Sequence, residues 1–448
     1  MPWDVLIRGG TVVTPTEISP LDLAIEDGVI VDIASELMGS TRLEIDATRL
    51  HVFPGMIDPH VHFNEPGRTE WEGIATGSSA LAAGGGTCFF DMPLNSFPPT
   101  LDGPSFDLKR SAAERSSVTD FALWGGLTPR NLDSLEELAG RGVIGFKAFM
   151  SGSGIDDFER SDDDTLRRGM TIASRLNLPV AVHAESEELT SRLTREIRAS
   201  GGTSWTDYLA SRPIEAECDA IDRAIDTANE TGCDLHIVHV SSSSGVSRVT
   251  QAANRGVKVT CETCPHYLLL TSDDLIQMGA IAKCAPPLRD ANEVEKLWDR
   301  LRSGEILFIG SDHSPAPSAM KISDDAFAVW GGISGVQTSL LALLGRLPLQ
   351  KVAALTSDHV AKRFNLPNKG QIEIGFDADF CLIDLTTPTT LTRDMLLDRH
   401  RQSPYVGRTF AGRVMRTMVR GQTVMLDEKV TSKLSAKLIT PSSFSGAR

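Results

Sequence analysis

Eight short apolar runs follow one another along the chain, and longer stretches with helical periodicity separate them. The runs cover residues 55–62, 86–92, 121–126, 143–149, 179–183, 235–240, 257–262 and 306–310. Strands that alternate with helices are typical of a parallel α/β sheet, and eight strands are the number that closes a barrel. A barrel takes about 250 residues, which leaves part of this 448-residue chain for a smaller domain. The sequence therefore predicts the α/β class, with a (β/α)8 TIM-like barrel and a satellite domain.

Both ends of the chain are rich in strand-forming residues. Short strand-like runs lie at 4–13, 21–25, 29–33 and 43–46, and they return at 370–374, 378–383, 412–419 and 424–426. We expect the two ends to pair into one small β-sandwich domain. The predicted division is 1–53 for the first part of the sandwich, 54–365 for the barrel and 366–448 for the second part with a C-terminal tail. Residues 440–448 of that tail are expected to fray.

Charge and composition exclude several classes of function. The chain carries 44 Lys and Arg against 59 Asp and Glu, a net charge of −15, so neither nucleic acid nor a membrane surface is an expected partner. No run approaches the ~18 apolar residues of a spanning helix, and the start lacks the pattern of a signal peptide. The seven cysteines show no disulfide-framework spacing. We expect a soluble cytoplasmic protein with reduced thiols.

Five polar side chains fall at the ends of predicted barrel strands. His60 and His62 close the first run on one face of the strand, His183 ends the fifth, His239 lies at the end of the sixth, and Asp312 follows the eighth. The carboxyl ends of barrel strands converge on one mouth, where active sites are built. A lone histidine at such a place is most often structural, but five residues at four strand ends indicate a divalent-metal site.

Lys147 lies in the apolar run at 145–150, at the end of the fourth predicted strand. A buried, unpaired ammonium group costs several kcal/mol or loses its proton. A neutral lysine amine can react with CO₂ to give a carbamate, which could bridge two metal ions about 3.5–4 Å apart. The alternative is a lysine that reaches solvent or pairs with an acid. The residues alone leave both interpretations open.

Five motifs together resemble the cyclic amidohydrolases, a family that includes dihydroorotases, hydantoinases and allantoinases. They are Asp-Pro-His-Val-His at 58–62, Gly-Phe-Lys at 145–147, Val-His-Ala-Glu at 182–185, Ile-Val-His-Val-Ser at 237–241 and Gly-Ser-Asp-His at 310–313. The resemblance covers essentially the whole chain, including the split β-domain, and it also suggests a homotetramer. The individual residues to which the resemblance gives a role belong to a binuclear metal centre.

The resemblance implies two divalent ions per subunit, with zinc as the first choice and cobalt, manganese, nickel or iron as alternatives. His60, His62 and Asp312 would bind one ion, and His183 and His239 would bind the other. Lys147, as N6-carboxylysine, would bridge the two. Every one of these positions matches the pattern of the family.

Near His62, the second histidine of the first motif, the sequence differs from the dihydroorotases and is similar to another branch of the family. Those enzymes typically carry an arginine two residues after that histidine to pair with the carboxylate of their substrate, and here the residue is Asn64. The stretches 62–73, 91–95, 98–100, 283–289 and 311–315 are similar to allantoinases. This resemblance implies a small neutral substrate, allantoin, and its hydrolysis to allantoate in purine catabolism. Asn64, Ser311 and Ser314 are candidates for substrate contacts by position only.

The chemistry expected from such a site is hydrolysis of a ring amide. A hydroxide that bridges the two metal ions would attack the carbonyl, and Asp312 would act as general base and then as general acid toward the departing nitrogen. A hydantoinase or dihydropyrimidinase is the alternative enzyme. A non-catalytic scaffold of the same fold is the alternative from another class, although relatives of that kind lose ligands that this chain keeps.

Overall fold

The computed structural model describes residues 2–431 and 435–442. Its strands are β1 (Trp3–Val13), β2 (Ile18–Glu26), β3 (Val29–Ala34), β4 (Thr41–Asp46), β5 (His51–Pro54), β6 (Met56–Val61), β7 (Gly86–Asp91), β8 (Asp120–Leu123), β9 (Gly125–Gly126), β10 (Phe146–Phe149), β11 (Val180–His183), β12 (Leu235–Ile237), β13 (Val259–Thr263), β14 (Phe308–Ile309), β15 (Phe380–Asp384), β16 (Thr389–Thr390), β17 (Thr409–Phe410), β18 (Arg413–Val419), β19 (Gln422–Leu426) and β20 (Lys429–Val430).

The α-helices lie mostly between the strands of the middle segment. They are α1 (Ile74–Ala83), α2 (Gly103–Ser116), α3 (Leu135–Arg141), α4 (Asp163–Leu176), α5 (Glu187–Ala199), α6 (Trp205–Ala210), α7 (Ile214–Thr231), α8 (Ser243–Asn254), α9 (Pro265–Leu269), α10 (Ser272–Met278), α11 (Ala291–Ser303), α12 (Leu349–Ala353) and α13 (His359–Arg363). None of the helices in the described part of the chain has the length and apolar character needed to span a membrane.

The strands from β6 to β14 form the predicted parallel barrel. β6, β7 and β8 pair in one section, and β9 to β14 pair in the other. β8 and β9 are two parts of the third barrel strand, because β8 pairs with β7 and β9 pairs with β10. The eighth strand returns to the first where the amide of His62 donates to the carbonyl of His313 over 2.8 Å. The (β/α)8 architecture is therefore confirmed.

Two barrel strands end earlier than the apolar pattern predicts. The sixth run was expected to extend to residue 240, but β12 stops at Ile237, and the eighth was expected to cover 306–310, but β14 is only Phe308–Ile309. His239 and Asp312, which follow these strands, have φ angles of 41° and 46°. Left-handed backbone at a residue other than glycine is incompatible with a strand and is uncommon. The chain therefore leaves the sheet early so that both side chains can point into the barrel mouth.

The helix α4 illustrates how the barrel helices are encoded. The side chain of Asp162 accepts a hydrogen bond from the amide of Thr165 over 2.9 Å and so caps the first turn. Leu166, Met170 and Ala173 are buried at helical spacing against the barrel. The helix ends at Asn177, whose φ of 53° lies in the left-handed region that stops a helix.

The two ends of the chain form one nine-stranded sheet. Its hydrogen-bonding order is β20-β19-β18-β15-β5-β1-β2-β3, with β4 paired to β1. The N-terminal and C-terminal parts meet where β5 pairs antiparallel with β15, so that Val52 lies opposite Leu382. Val52, Leu382 and Met418 share the core of this sheet. The predicted pairing of the two ends is therefore confirmed.

The exact domain boundaries, 1–53, 54–365 and 366–448, stay a prediction. The expected frayed tail, 440–448, lies largely outside the described residues, since 443–448 are not among them. Its described beginning and the residues just before it are bound to the barrel. The amide of Ile439 donates to the carbonyl of Phe121 over 2.7 Å, and the amide of Ser442 donates to the carbonyl of Asn365 over 2.8 Å.

A buried ion cluster joins the barrel to the sheet. The Nζ atom of Lys369 lies 2.8 Å from Asp120, 2.8 Å from Asp377 and 2.7 Å from Asp379. Arg420 also contacts Asp120, at 3.1 Å. The three carboxylates are spaced closely enough for a metal ion, but the ammonium group of Lys369 already lies among them. The cluster is therefore a set of ion pairs between β8 of the barrel and the segment before β15.

Replacing Lys369 with methionine should destabilise the protein strongly. The variant leaves buried carboxylates without their main cation, a change that typically costs roughly 3–5 kcal/mol in free energy of unfolding. Chemical denaturation monitored by fluorescence checks this value. Lys258→Met, at an exposed lysine, is the matched control and should change stability by less than about 0.5 kcal/mol. Equal stability of the two variants would contradict the prediction.

Candidate metal centre

The barrel brings the six predicted ligands to the same end of the parallel strands. His60 is in β6 and His62 follows it, Lys147 is in β10, and His183 ends β11. His239 follows β12 and Asp312 follows β14. The four histidines and Asp312 line one cavity of about 640 Å³ at this mouth. Lys147 is fully buried and is not among the lining residues.

The ligand atoms make three close contacts. Oδ1 of Asp312 lies 3.2 Å from Nε2 of His60 and 3.2 Å from Nε2 of His62. Nδ1 of His183 lies 3.0 Å from Nε2 of His239. Ligands that bind one tetrahedral ion at about 2.0–2.1 Å are separated from each other by roughly 3.3 Å. These contacts have the spacing of ligands that share an ion. His60, His239 and Asp312 also offer ligand atoms that lie within 4.8 Å of one another, so the five side chains form one continuous cluster, and their division between two ions stays a prediction.

Buried polar atoms without hydrogen bonds support this interpretation. Nε2 of His60 makes no hydrogen bond, although it lies 3.2 Å from Asp312, and Nζ of Lys147 makes none. Leaving such groups unpaired in the protein interior is costly. The donor set consists of imidazole nitrogens, a carboxylate and an amine that CO₂ can convert to an anion, which suits divalent ions such as zinc. The residues present therefore fit two divalent ions.

Lys147 has the environment that carbamate formation requires. Burial lowers the pKa of its amine to about 8, although Asp312 and Glu262 oppose the shift. Its Nζ atom lies 5.1 Å from the centre of the Phe149 ring. Within the described residues, no carboxylate lies at ion-pair distance, and the side chain does not reach solvent. The sequence left two other interpretations open, a lysine whose ammonium group reaches solvent and a lysine that pairs with an acid. The contacts of Lys147 favour neither.

Two buried carboxylates, those of Glu262 and Glu185, orient the histidine rings through hydrogen bonds. Nδ1 of His60 donates to Glu262 over 2.5 Å, and Nε2 of His236 donates to the other oxygen of Glu262 over 3.3 Å. Burial by itself would raise the pKa of Glu262, but the two histidines lower it to about 2. The ionised Glu262 therefore fixes the tautomer of His60 and leaves its Nε2 atom facing the centre.

Glu185 has the same role beside His183. It accepts a hydrogen bond from Nε2 of His183 over 2.9 Å and one from Arg212 over 2.5 Å. Burial favours a raised pKa, but Arg212 and His183 lower the pKa of Glu185 to about 2. The ring of Phe149 stacks on His183 with 4.5 Å between centres and 10° between planes. Together these contacts leave Nδ1 of His183 facing Nε2 of His239, where both nitrogens could act as ligands.

Asp58 positions the turn that carries Asp312. Its Oδ1 atom accepts hydrogen bonds from the amides of Ser311, over 3.0 Å, and His60, over 3.2 Å. Burial raises the pKa of Asp58 to about 7. Asp312 itself remains anionic, because His60, His62 and His239 outweigh the effect of burial and hold its pKa well below the usual range.

The three residues proposed for substrate contacts lie in different places. Ser314 lines the cavity. Ser311 is buried behind it, where its hydroxyl donates to the carbonyl of His60 over 3.3 Å. Asn64 is 1% exposed and its amide donates to the carbonyl of Pro315 over 3.4 Å. Neither Ser311 nor Asn64 is among the cavity-lining residues, so the structure brings only Ser314 of the three to the wall.

The sequence analysis missed several residues of the site. Glu262 and Glu185 lie at or just after strand ends, as the predicted ligands do, and this position was the available signal. Asn95, Arg212 and Lys283 line the cavity. Asn95 follows the second strand by a few residues, whereas Arg212 and Lys283 lie in loops far from their strand ends. The seven cysteines are all buried and unpaired, and Cys261 and Cys264 form no metal site with a second pair.

Comparisons with known proteins agree with this geometry. The model of the amidohydrolase family matches residues 51–424. A curated allantoinase of Solibacter usitatus is 54% identical over 98% of this chain and 97% of its own length. A second, of Rubrobacter xylanophilus, is 53% identical over 100% of this chain and 99% of its own. Among solved structures, the L-hydantoinase (dihydropyrimidinase) from Arthrobacter aurescens superposes with a TM-score of 0.95 at 32% identity, over 98% of this chain and 100% of that one.

Proposed function

The chain belongs to the amidohydrolase family, and we propose that it hydrolyses the ring amide of allantoin to give allantoate. The observation that carries the proposal is full-length similarity to allantoinases at 54% and 53% identity, together with a complete set of candidate ligands at one barrel mouth. A non-catalytic scaffold of this fold would not require four histidines, an aspartate and an unpaired buried lysine at the same place.

The electrostatics of the cavity favour a neutral substrate such as allantoin. Two cationic side chains line the wall, and both are engaged by the protein. Arg212 is bound to Glu185, and Nζ of Lys283 donates to the carbonyl of Ala326 over 2.7 Å. Asn64 stands where the resemblance places the carboxylate-binding arginine of dihydroorotases. No free guanidinium group is therefore available among the described lining residues to pair with a substrate carboxylate.

His60, His62 and Asp312 would hold one divalent ion, His183 and His239 the other, and carboxylated Lys147 would join the two. Zinc fits these nitrogen and oxygen ligands best. When bound, the ions supply a water molecule of lowered pKa and polarise the carbonyl group that is attacked. Within this proposal, the barrel strands supply the ligands and Glu262 and Glu185 orient the rings.

Asp312 is the proposed proton-transfer residue. Its carboxylate is anionic at neutral pH, since the neighbouring histidines hold its pKa low. Oδ1 faces His60 and His62, which leaves Oδ2 to accept a proton as the nucleophile attacks and to deliver it to the ring nitrogen that departs. The fixed turn around Asp58 keeps this oxygen in place during the reaction.

A homotetramer and a cytoplasmic location belong to the same proposal and rest on the family resemblance. Hydantoin hydrolysis is the second candidate activity. The high structural similarity to the L-hydantoinase of Arthrobacter aurescens favours it. Its support is weaker, because this chain is 54% identical to an allantoinase and 32% identical to that hydantoinase.

A panel of cyclic amides tests the proposed function. Purified, metal-analysed protein is assayed on allantoin, hydantoin, dihydrouracil and dihydroorotate. We expect allantoin to give the highest kcat/KM and dihydroorotate to give no turnover. Faster hydrolysis of hydantoin than of allantoin would replace the proposal by the second candidate, and no turnover of any ring by metal-loaded protein would favour the scaffold.

Asp312→Asn should abolish most of the activity without unfolding the protein. The amide cannot accept a proton, and loss of general acid–base catalysis typically lowers kcat by roughly 10²- to 10⁴-fold. Steady-state kinetics, circular dichroism and metal analysis are compared with Asp324→Asn, a control at an exposed aspartate of the following loop. Near wild-type kcat for Asp312→Asn would remove this residue from the proposed mechanism.

Lys147→Ala should lose at least one metal ion per subunit and fall to background activity, because the bridging anion is missing. Short carboxylic acids added to the medium should restore part of the activity by taking the place of the carbamate. Wild-type protein exposed to ¹³C-bicarbonate should show a carbamate signal by NMR, and Lys258→Ala, at an exposed lysine, should keep it. A free amine at Lys147 in fully active, two-metal protein would contradict the prediction.

A further inference from the structure

Four loops surround the mouth of the cavity. They follow the first, second, fourth and eighth barrel strands, and we name them loop A (62–73), loop B (92–102), loop C (150–162) and loop D (310–335). Loop B contributes Leu94 and Asn95 to the cavity wall, and loop C contributes Gly152, Ser153 and Gly154. The shape of the wall therefore depends on how these separate loops are held relative to one another.

One side chain, Arg68 of loop A, binds two of the other loops. Its Nη2 atom lies 2.9 Å from Oδ2 of Asp157 in loop C. Its Nη1 atom donates to the carbonyls of Asn95, over 3.3 Å, and Ser96, over 3.4 Å, in loop B. Arg68 and Asp157 are only 21% and 20% exposed, so solvent screens this ion pair less than one on the open surface.

Aromatic contacts extend the same junction to loop D. The guanidinium carbon of Arg68 lies 5.4 Å from the ring centre of Trp71 and 5.6 Å from that of Phe97. Trp71 in turn meets Trp330 of loop D edge to face, with 4.9 Å between ring centres. A planar guanidinium carries donors on two nitrogens that point in different directions, so it can bind two loops while its face stays against the rings, whereas an ammonium group is a single point charge.

Arg68 itself is neither a candidate ligand nor a lining residue, whereas Asn95, one of the residues that it holds, is next to the centre. Asn95 lines the cavity, and its amide nitrogen lies 3.5 Å from Nδ1 of His62. If the ring amide of the substrate is attacked at the metal centre, the substituent on the adjacent ring carbon must lie against a wall near this centre. Loops B and C form such a wall.

We propose that Arg68 is a positioning residue that fixes loops A, B and C in the arrangement that accepts the ureido substituent of the ring. The inference rests on the proposed function, because it concerns the part of allantoin that hydantoin lacks. It assigns to Arg68 an effect on substrate selection that acts through the cavity wall and leaves the proton-transfer chemistry at Asp312 unchanged.

Arg68→Met and Asp157→Asn test this inference from the two sides of the ion pair. We expect KM for allantoin to rise roughly tenfold in each variant, because a hydrogen-bonded charge pair that fixes the wall is lost. kcat should change less than about threefold, and the ratio of kcat/KM for allantoin to that for hydantoin should fall. Arg68→Lys should resemble Arg68→Met, since a lysine cannot bind both loops.

Several measurements separate this role from a merely structural one. Asp156→Asn, at the exposed neighbour of Asp157, is the matched control and should behave as wild type. Metal content and thermal midpoint should stay near wild type in all variants, while hydrogen exchange should accelerate in peptides covering loops B and C. The double variant Arg68→Met with Asp157→Asn should be no worse than Arg68→Met alone, because Asp157→Asn removes only an interaction that Arg68→Met already removes.

Other outcomes would overturn the inference. Unchanged KM in Arg68→Met, or an equal loss of activity on allantoin and hydantoin, would show that Arg68 does not act on the substituent. Failure of the proposed function would appear differently, as no allantoin turnover by the wild-type protein. In that case the same variants are compared on the ring that the protein does hydrolyse, with and without a substituent, and an unchanged preference would still reject the role of Arg68.

Discussion

Convergence of the parallel strands is the constraint on which the rest of this structure depends. Each candidate ligand lies in or just after a barrel strand, and only closure of the barrel brings the first strand beside the eighth. The hydrogen bond between the amide of His62 and the carbonyl of His313 marks this closure. It places Asp312 within 3.2 Å of both His60 and His62. The left-handed backbone at His239 and Asp312 is tolerated because the surrounding strands determine it.

The second requirement is charge balance in a dry interior. Lys147 lies buried without a partner, and Glu262, Glu185 and Asp58 are buried carboxylates beside the candidate ligands. Glu262 and Glu185 are stabilised as anions by the histidines that they orient, and Glu185 also by Arg212. The hydrogen bonds that keep Glu262 and Glu185 ionised are thus the same ones that orient the rings of His60 and His183.

The structure also suggests a division between chemistry and substrate choice. Strand ends supply the candidate ligands, and a protein with a TM-score of 0.95 but 32% identity is an L-hydantoinase. A shared barrel therefore does not by itself decide which ring is hydrolysed. The walls come from loops, which can change without disturbing the strands. Arg68 joins three of these loops and, through Trp71, touches a fourth, so a single guanidinium links the shape of the wall to the centre.

The sequence by itself determined the barrel, the pairing of the chain ends and the candidate ligands, because each is encoded locally. Strand periodicity puts His60 and His62 on one face, and a lysine in an apolar run is detectable without coordinates. Tertiary structure alone decided which distant groups meet. Glu262 reaches His60 across 202 positions, and Arg68 reaches Asp157 across 89. Asn64 illustrates the same limit, since its position two residues after His62 predicted a substrate contact, whereas the structure buries it with its amide bound to the carbonyl of Pro315. Local patterns specify periodicity and strand ends, whereas packing and backbone strain determine where each side chain points.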